Sequence, residues 1–141
     1  MRSQTLEGFN TKLSASGLLY RHYGTEIICE LYPSLKSDPS KLSMVYKRFY
    51  SLFMEAIDAV DNGIEPADSL RYRDYTSISC RVARLNKPWN CESEEPTEDQ
   101  RFEKASAMCG EAFVESLKHL VEVEMSARDR VEEAVNARGV S

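Results

Sequence analysis

The sequence predicts an all-α fold, a helical bundle with long helices. Apolar residues recur at spacings of three and four along most of the 141 residues. No segment shows the apolar and polar alternation of a strand, and glycine and proline are scarce outside a few proposed joints. A chain of this length can bury a core as one domain without disulfides, so the default prediction is one helical domain.

The first predicted helix runs from about Leu13 to Leu31, with Ser14 or Thr11 as its N-cap. Pro33 follows and ends it, because proline cannot continue a helix. Four apolar residues recur at every fourth position and are predicted to form its buried face: Leu19, Tyr23, Ile27 and Leu31.

The second predicted helix begins at Asp38-Pro39, where Asp suits the N-cap and Pro the first helical position. It ends at Asn62-Gly63, because glycine readily adopts the left-handed conformation of a helix stop. Its apolar residues, which predict a buried stripe, are Leu42, Val45, Phe49, Leu52, Phe53, Ala56, Ile57 and Val60.

The centre of the chain is less regular. We predict a loop over 64–75 and a short helix around Ser77 to Leu85, closed by Asn86-Lys87-Pro88. The stretch from Glu92 to Asp99 is acidic, contains Pro96 and lacks apolar residues, which predicts a mobile loop over 91–98.

A long last helix is predicted from the capping box formed by Thr97 and Gln100. Ser126 and Asp129 provide a second start signal, so a kink or break near Met125 is expected. The apolar spacing of this helix is carried by Phe102, Ala105, Cys109, Phe113, Ser116 and Leu120. Periodicity places five large side chains of the whole chain in the core: Met44, Phe49, Phe53, Phe102 and Phe113.

Composition excludes several classes of protein. The apolar fraction of 42% is average for a soluble globular protein, and no apolar run approaches the length of a membrane helix, so neither a membrane span nor a secretory signal is expected. The four cysteines contain no Cys-x-x-Cys pair, which favours free thiols over disulfides or zinc. No common nucleotide-binding, zinc-protease or serine-hydrolase motif occurs.

The first candidate site is the end of the second helix, where Asp58 and Asp61 are three residues apart and are expected to share a face. Carboxylates in a last turn oppose the helix dipole and therefore invite a cation. The functional interpretation is a divalent metal site. The alternative is a helix stop in which Asp58 is solvated or paired with an arginine.

The second candidate is the basic segment 71–90, which holds five basic residues against the single acid Asp74. The overall net charge of −5 argues against a surface that coats nucleic acid, but it leaves room for a local basic site. Arg81 and Arg84 share a helical face suited to phosphates, and Trp89 beside Asn86 and Asn90 is suited to stacking or hydrogen bonding with a base. The alternative is structural: the arginines would pair with the acidic stretch that follows, and Trp89 would be packed in the core.

His22 lies in the first predicted helix with no cysteine or second histidine beside it. A capping or buried hydrogen-bonding role is therefore favoured over metal ligation or base chemistry, although a substrate contact stays open.

Three segments together resemble the melanocyte proliferating gene family, in order along most of the chain. They are Thr11-Lys12-Leu13-Ser14-Ala15-Ser16-Gly17-Leu18-Leu19-Tyr20, Val60-Asp61-Asn62-Gly63-Ile64, and Arg81-Val82-Ala83-Arg84-Leu85-Asn86 with Trp89-Asn90. That family is similar to the DHH phosphoesterases, α/β proteins that hold two divalent metals, typically manganese. The resemblance implies hydrolysis of phosphate esters, 3′-to-5′ RNA exonuclease activity in eukaryotic members, and a nuclear or mitochondrial location, with the cytoplasm as an alternative.

The resemblance also defines what each part is expected to do. Asp61 is similar to the downstream aspartate motif among the superfamily's metal ligands, with Asp58 as a second choice, while nothing similar to the Asp-His-His signature is found before Thr11. The chain is thus expected to be a middle fragment, with 1–75 the helical part of the phosphoesterase-like domain and 76–141 connecting and C-terminal helices. The basic segment is implied to face substrate phosphates or RNA.

The expected function is that of a fragment of a metal-dependent phosphoesterase or nuclease, inactive by itself and unable to hold manganese firmly, because useful metal affinity needs several ligands fixed together. The alternative is a helical interaction or oligomerisation module without catalysis, in which exposed helical faces meet a second copy or another protein.

Overall fold

The computed structural model describes residues 4–139 and confirms the all-α class. Six α-helices follow one another: α1 (Ala15–Leu31), α2 (Pro39–Phe49), α3 (Glu55–Asp61), α4 (Ile78–Ala83), α5 (Glu98–Lys118) and α6 (Met125–Gly139). A 3₁₀ helix, Pro33–Ser37, precedes α2. Two π-helical segments, Tyr50–Met54 and His119–Glu124, connect α2 to α3 and α5 to α6. Within 4–139 the extended backbone forms only the isolated bridge between Thr5 and Lys12.

The chain divides into two compact units. The first comprises the chain up to Ile64 and from Ser116 onward, and the second is Glu65–Glu115. The hydrophobic core lies in the first unit and consists of Leu6, Leu13, Tyr20, Ile28, Cys29, Leu35, Val45, Phe49, Tyr50, Met54, Leu117, Leu120 and Met125. No residue from 65 to 115, all of which are described, is buried. Residues 91–97 lie outside the helices, and their mobility and the functional division at 75 stay predictions.

The predicted starts of the helices are confirmed by their caps. Ser14 Oγ accepts a hydrogen bond from Gly17 N at 3.4 Å, and Asp38 Oδ1 accepts one from Lys41 N at 3.1 Å. The Thr97 capping box is complete, because Thr97 N donates to Gln100 Oε1 at 2.8 Å and Gln100 N donates to Thr97 Oγ1 at 3.2 Å. Each cap satisfies a backbone N–H that has no partner within its helix.

The predicted buried face of α1 is wrong. Leu19 is 60% exposed, and the other predicted residues, Tyr23, Ile27 and Leu31, are exposed as well. The buried face instead holds Gly17, Tyr20, Gly24, Ile28 and Cys29. Gly24 lets α2 approach closely, since a Cβ there would lie 2.8 Å from the Tyr20 ring and 3.0 Å from the ring of Tyr46 on α2. Tyr20 stacks on Tyr46 with ring centroids 4.7 Å apart, and its hydroxyl donates to the Tyr46 carbonyl.

The predicted stripe of the second helix is correct only in its first half. Val45 and Phe49 are buried, whereas Leu52, Ala56 and Val60 are exposed. The π-helical segment Tyr50–Met54 is the physical reason, because its wider turn inserts one residue and rotates everything after it. Met54 at the end of this segment and Asp58 beyond it are the positions that reach the core.

The five large side chains predicted to lie in the core differ in how far they are buried. Phe49 is fully buried, whereas Phe102 is 74% exposed, which corrects its assignment to the core. Met44, Phe53 and Phe113 are partly buried. Along α5 only Leu117 is buried, so most of the apolar positions at helical spacing in this helix lie outside the buried core. The expected break near Met125 is confirmed by the π-helical segment that ends at Glu124. All four cysteines are free, as expected.

Candidate functional site

Asp58 is a fully buried carboxylate surrounded by hydrogen-bond donors. Its Oδ1 accepts from the Ser14 hydroxyl at 2.6 Å and from the Ser14 backbone N–H at 3.0 Å. Its Oδ2 accepts from the Tyr50 hydroxyl at 2.6 Å. The alternative predicted for Asp58, a solvated carboxylate or a partner of arginine, is therefore wrong. The π-helical segment turns Asp58 inward, and Ser14 places the carboxylate at the N-terminus of α1, where the helix dipole favours negative charge.

Gly17 leaves the space that the Asp58 carboxylate occupies. A Cβ on Gly17 would lie 2.4 Å from both carboxylate oxygens of Asp58, closer than any real contact. The Ser14-Ala15-Ser16-Gly17 segment is thus shaped around Asp58, with Ser14 donating to it and Gly17 leaving room for it.

Tyr50 completes the cluster from the other side. Burial of Tyr50, together with its hydrogen bond to the Asp58 carboxylate, raises the pKa of its phenol well above the usual value. The neutral phenol is therefore favoured, and it keeps its proton for the bond to Asp58. Phe9 packs edge-on against the Tyr50 ring at a centroid distance of 4.6 Å.

Asp61, the other predicted ligand, is exposed at the last position of α3. The helix ends in a Schellman motif, in which Gly63 N donates to Val60 O and Ile64 N donates to Ala59 O. Gly63 has a φ of 70°, as its predicted role as a helix stop requires. Asn62 then ties this end to the segment before α1, because its Nδ2 donates to Lys12 O at 3.0 Å.

The two aspartates are not equivalent as ligands for a divalent metal. Asp58 already accepts three hydrogen bonds in a closed pocket, whereas Asp61 is accessible. Across 4–139, no three His, Cys, Asp or Glu side chains converge on a position where they could hold a metal. The described residues therefore do not fit a complete metal site.

The basic segment lies in the second unit around α4, which begins at its N-cap Ser77. Arg81 is exposed on α4. Arg84 is the C-cap residue of α4, and its Nη2 donates a hydrogen bond to the carbonyl of Tyr75, which precedes the helix in the sequence. Asp74 supports the turn before α4. Hydrogen bonds from the hydroxyl and the backbone N–H of Thr76 lower the pKa of the Asp74 carboxyl.

Trp89 is 97% exposed, so the core position considered for it is wrong. Asn86 and Asn90 are exposed beside it in the sequence. A tryptophan in water offers both faces of its ring for stacking. The segment therefore combines basic, amide and aromatic groups that a ligand can reach.

His22 is exposed on α1 in the first unit, with its ring 6.3 Å from that of Tyr23. The buried hydrogen-bonding role considered for His22 is therefore wrong, and a substrate contact stays a prediction.

The second unit contains a pocket of about 250 Å³ that the sequence did not predict, although two of its lining residues, Arg84 and Asn86, were predicted site residues. Arg84, Asn86 and Lys87 line one part of it, and Arg101 and Lys104 of α5 line another. The two α5 residues are 14 or more positions beyond Lys87, and no sequence pattern connects them with it. Ser14, Gly17 and Tyr50 around Asp58 were likewise missed, although the resemblance quoted above includes Ser14 and Gly17.

Comparison with known proteins gives matches along nearly the whole chain. The model of an uncharacterised protein family, UPF0160, matches residues 2–140. A MYG1 protein of Caenorhabditis elegans is 40% identical over 139 residues, which are 98% of this chain and 40% of that protein. The human protein named MYG1 exonuclease is 37% identical over 134 residues, or 92% of this chain and 34% of that protein.

A MYG1 protein of Saccharomyces cerevisiae is 34% identical over 140 residues, which cover 94% of this chain and 41% of that protein. The chain thus spans between 34% and 41% of the length of these relatives. No solved structure matches it significantly. None of the helices described over 4–139 is long and apolar enough to cross a membrane.

Proposed function

The chain belongs to the uncharacterised protein family UPF0160, and from this we propose that it forms part of a metal-dependent phosphoesterase that degrades RNA. Support comes from its relatives, because the human and mouse proteins carry the name MYG1 exonuclease. An exonuclease hydrolyses phosphodiester bonds at a chain end, which needs groups that hold phosphates and groups that activate water.

We propose that the basic segment contacts the RNA. The observation that carries this proposal is Trp89, which is 97% exposed within a segment that includes Arg81 and Arg84. Stacking on an exposed aromatic ring contributes roughly 1–3 kcal/mol per base and tolerates any sequence. The arginines would pair with phosphates, and Asn86 and Asn90 would hydrogen-bond to sugars or bases. His22 is proposed as a further substrate contact.

We propose Asp61 as one carboxylate ligand of a divalent metal, manganese by resemblance. It is accessible and lies on a helix end fixed by Asn62 and Gly63. A divalent ion held by Asp61 together with further ligands would supply positive charge near the phosphoryl oxygens and lower the pKa of bound water. Asp58, the second predicted ligand, is better suited to holding α3 against α1. The other ligands would come from regions of the family proteins that this chain does not span, so by itself it would bind metal weakly and be inactive.

RNA binding tests the basic segment directly. The 141-residue chain should bind short single-stranded RNA with an affinity that falls as salt rises, because bound phosphates release counterions. Arg81→Ala, Arg84→Ala and Trp89→Ala should each weaken binding by about tenfold. Arg130→Ala, an exposed charge change in the first unit, serves as the matched control and should have little effect. Binding that is unaltered in all three variants would reject the segment as an RNA site.

Metal dependence is tested in a chimera in which this chain replaces the matching region of the Caenorhabditis elegans relative. Manganese should raise the midpoint of thermal unfolding of the chimera and support RNA hydrolysis. Asp61→Asn should lower manganese affinity by at least about tenfold, while Asp68→Asn, another exposed aspartate, should not. If both variants respond to manganese alike, Asp61 is not a ligand.

The apolar residues exposed on α1 favour a second function, a helical interaction or oligomerisation module. Leu19, Tyr23 and Ile27 form a stripe at spacings of four that meets solvent. Sedimentation of the chain at increasing concentration, with Leu19→Glu and Ile27→Glu as variants, discriminates this role. A second copy bound through the stripe would give dimers that both variants abolish, without any change in RNA binding.

A further inference from the structure

The pocket in the second unit concentrates positive charge in an acidic chain. Its volume is about 250 Å³, and four cationic side chains line it: Arg84, Lys87, Arg101 and Lys104. Glu95 is the only acidic residue among its lining groups. The chain as a whole carries a net charge of −5, so this grouping of cations runs against the average composition.

None of these cations forms an ion pair with the neighbouring acidic stretch. In the described part of the chain, no carboxylate lies within salt-bridge distance of any of the four, although Glu92, Glu94 and Glu95 are close in sequence. Four like charges around one cavity repel each other, and this repulsion is relieved when an anion enters. The pairing of arginines with the acidic stretch, considered from sequence, is therefore wrong.

The two guanidinium groups are oriented by backbone carbonyls. Arg84 donates to the carbonyl of Tyr75, and Arg101 donates to the carbonyl of Pro96. A guanidinium has five N–H donors in a planar fork, so one such bond restrains the side chain and leaves donors for a ligand. Restrained donors lose less conformational entropy on binding than free ones do.

We infer that this pocket binds a phosphate group, with Arg84 and Arg101 as oriented donors and Lys87 and Lys104 as mobile charges. The inference rests on the proposed function, since it specifies where a phosphate of the nucleic acid is held near the basic segment. It adds two residues of α5, Arg101 and Lys104, that neither the sequence motifs nor the family relationship assigns. Free phosphate and the backbone of RNA share this chemistry and are separated by the experiment.

The test is calorimetric titration of the 141-residue chain with inorganic pyrophosphate and, separately, with short single-stranded RNA, at low salt. Arg101→Gln and Lys104→Gln should each weaken pyrophosphate binding by about tenfold, because each removes a charge-assisted contact. Arg130→Gln makes the same change of charge on the exposed surface of the first unit and should change the affinity by less than about twofold. Circular dichroism of each variant verifies its helix content.

A second measurement does not depend on variants. Pyrophosphate added to the ¹⁵N-labelled chain should shift the backbone amide signals of Asn86, Gln100 and Arg101, which line the pocket. The amides of α1 and α2 should stay in place. Shifts spread evenly over basic residues of both units would overturn the inference, as would equal weakening by Arg130→Gln and Lys104→Gln.

The results also separate this inference from the proposed function. In one outcome, the Arg81 and Trp89 variants bind RNA about tenfold more weakly, and the Arg101 and Lys104 variants bind RNA and pyrophosphate as the unaltered chain does. This outcome would overturn the inferred phosphate site and support the proposed RNA site. Local binding of pyrophosphate without any binding of RNA would support the pocket and reject the RNA site.

Discussion

The Asp58 cluster shows how a buried carboxylate can be stabilised by three hydrogen bonds from two residues that are distant in the sequence. Ser14 donates two hydrogen bonds to it and Tyr50 one, while Gly17 leaves the space for its oxygens. A buried carboxylate without such partners would cost several kcal/mol. Because the cluster joins the start of α1 to α3, it fixes the end of α3 where the exposed Asp61 lies.

Gly17→Ala should destabilise the chain strongly. The added Cβ meets both Asp58 oxygens at 2.4 Å, so α1 and α3 must separate or Asp58 must leave its donors. We expect a loss of roughly 3 kcal/mol or more in the free energy of unfolding, measured by urea denaturation. Gly110→Ala is the matched control, since nothing lies within 4 Å of a Cβ there, and it should stabilise α5 by about 0.5–1 kcal/mol. Similar effects of the two changes would contradict the close fit around Asp58.

The raised pKa values of the buried tyrosines in the first unit lead us to expect a loss of stability at alkaline pH. Burial raises the pKa of Tyr20, Tyr46 and Tyr50 above the ordinary value, and the Asp58 hydrogen bond adds to the effect at Tyr50. The folded state therefore holds these protons more tightly than the unfolded state does. The stabilisation is complete below about pH 10 and is lost as pH rises above it.

This alkaline loss is measured as the slope of the free energy of unfolding against pH between about pH 10 and 12. Tyr50→Phe removes one such proton and should make the slope shallower by up to about 1.4 kcal/mol per pH unit. It should also lower stability at neutral pH by about 1–3 kcal/mol, because Asp58 loses a donor. Tyr72→Phe alters an exposed tyrosine and should leave both quantities unchanged. An unchanged slope in Tyr50→Phe would show that Tyr50 titrates normally.

At the scale of the elements, helix ends were predictable from the sequence, whereas helix faces were predictable only in part. Ser14, Asp38, Thr97 and Gly63 mark ends because caps depend on local hydrogen bonds and backbone angles. Buried faces depend on what packs against the helix and on its register. A π-helical turn changes that register by one residue, and the doubled apolar pairs Phe49-Tyr50 and Phe53-Met54 were the available sign of it.

The change of register at Tyr50–Met54 predicts opposite effects for two single-residue deletions, one within this segment and one in α3. Deleting Ser51, an exposed residue of the π-helical segment, should give a regular α-helix that still turns Met54 and Asp58 inward, so a cooperative unfolding transition should persist. Deleting Ala56, which is exposed beyond the segment, rotates Asp58 by about 100° away from Ser14. We expect that variant to lose cooperative unfolding in urea. Equal tolerance of the two deletions would show that register does not hold Asp58 in place.

At the scale of the whole molecule, the candidate site was predictable in part. Charge and composition marked the segment around Arg81 and Trp89, because a cluster of cations near an aromatic residue is visible without a fold. The Asp58 partners and the α5 residues of the pocket were not predictable, since Arg101 and Lys104 are brought to Arg84 only by folding. The sequence also does not tell whether its single tryptophan, Trp89, is packed in the core or exposed to solvent. The structure shows that it is exposed.

The distribution of buried residues predicts that the two units differ in local stability. The first unit contains every buried apolar side chain of the described residues, whereas none from 65 to 115 is buried. Regions with few buried apolar contacts open at low free-energy cost. Backbone amides of α1 and α2 should therefore exchange with deuterium at rates set by global unfolding, and those of α4 should exchange by local opening at much higher rates.

Hydrogen exchange measured by mass spectrometry with increasing urea tests this difference. Exchange of α1 and α2 should accelerate steeply with denaturant, because global unfolding exposes a large surface, and exchange of α4 should depend on it weakly. Gly17→Ala provides the control, since it should accelerate exchange in α1 and α2 and leave α4 unaffected. Saturating pyrophosphate should slow exchange only around the pocket. Equal protection of α1 and α4, with the same dependence on urea, would mean that the chain opens as one cooperative unit and that burial does not set its local stability.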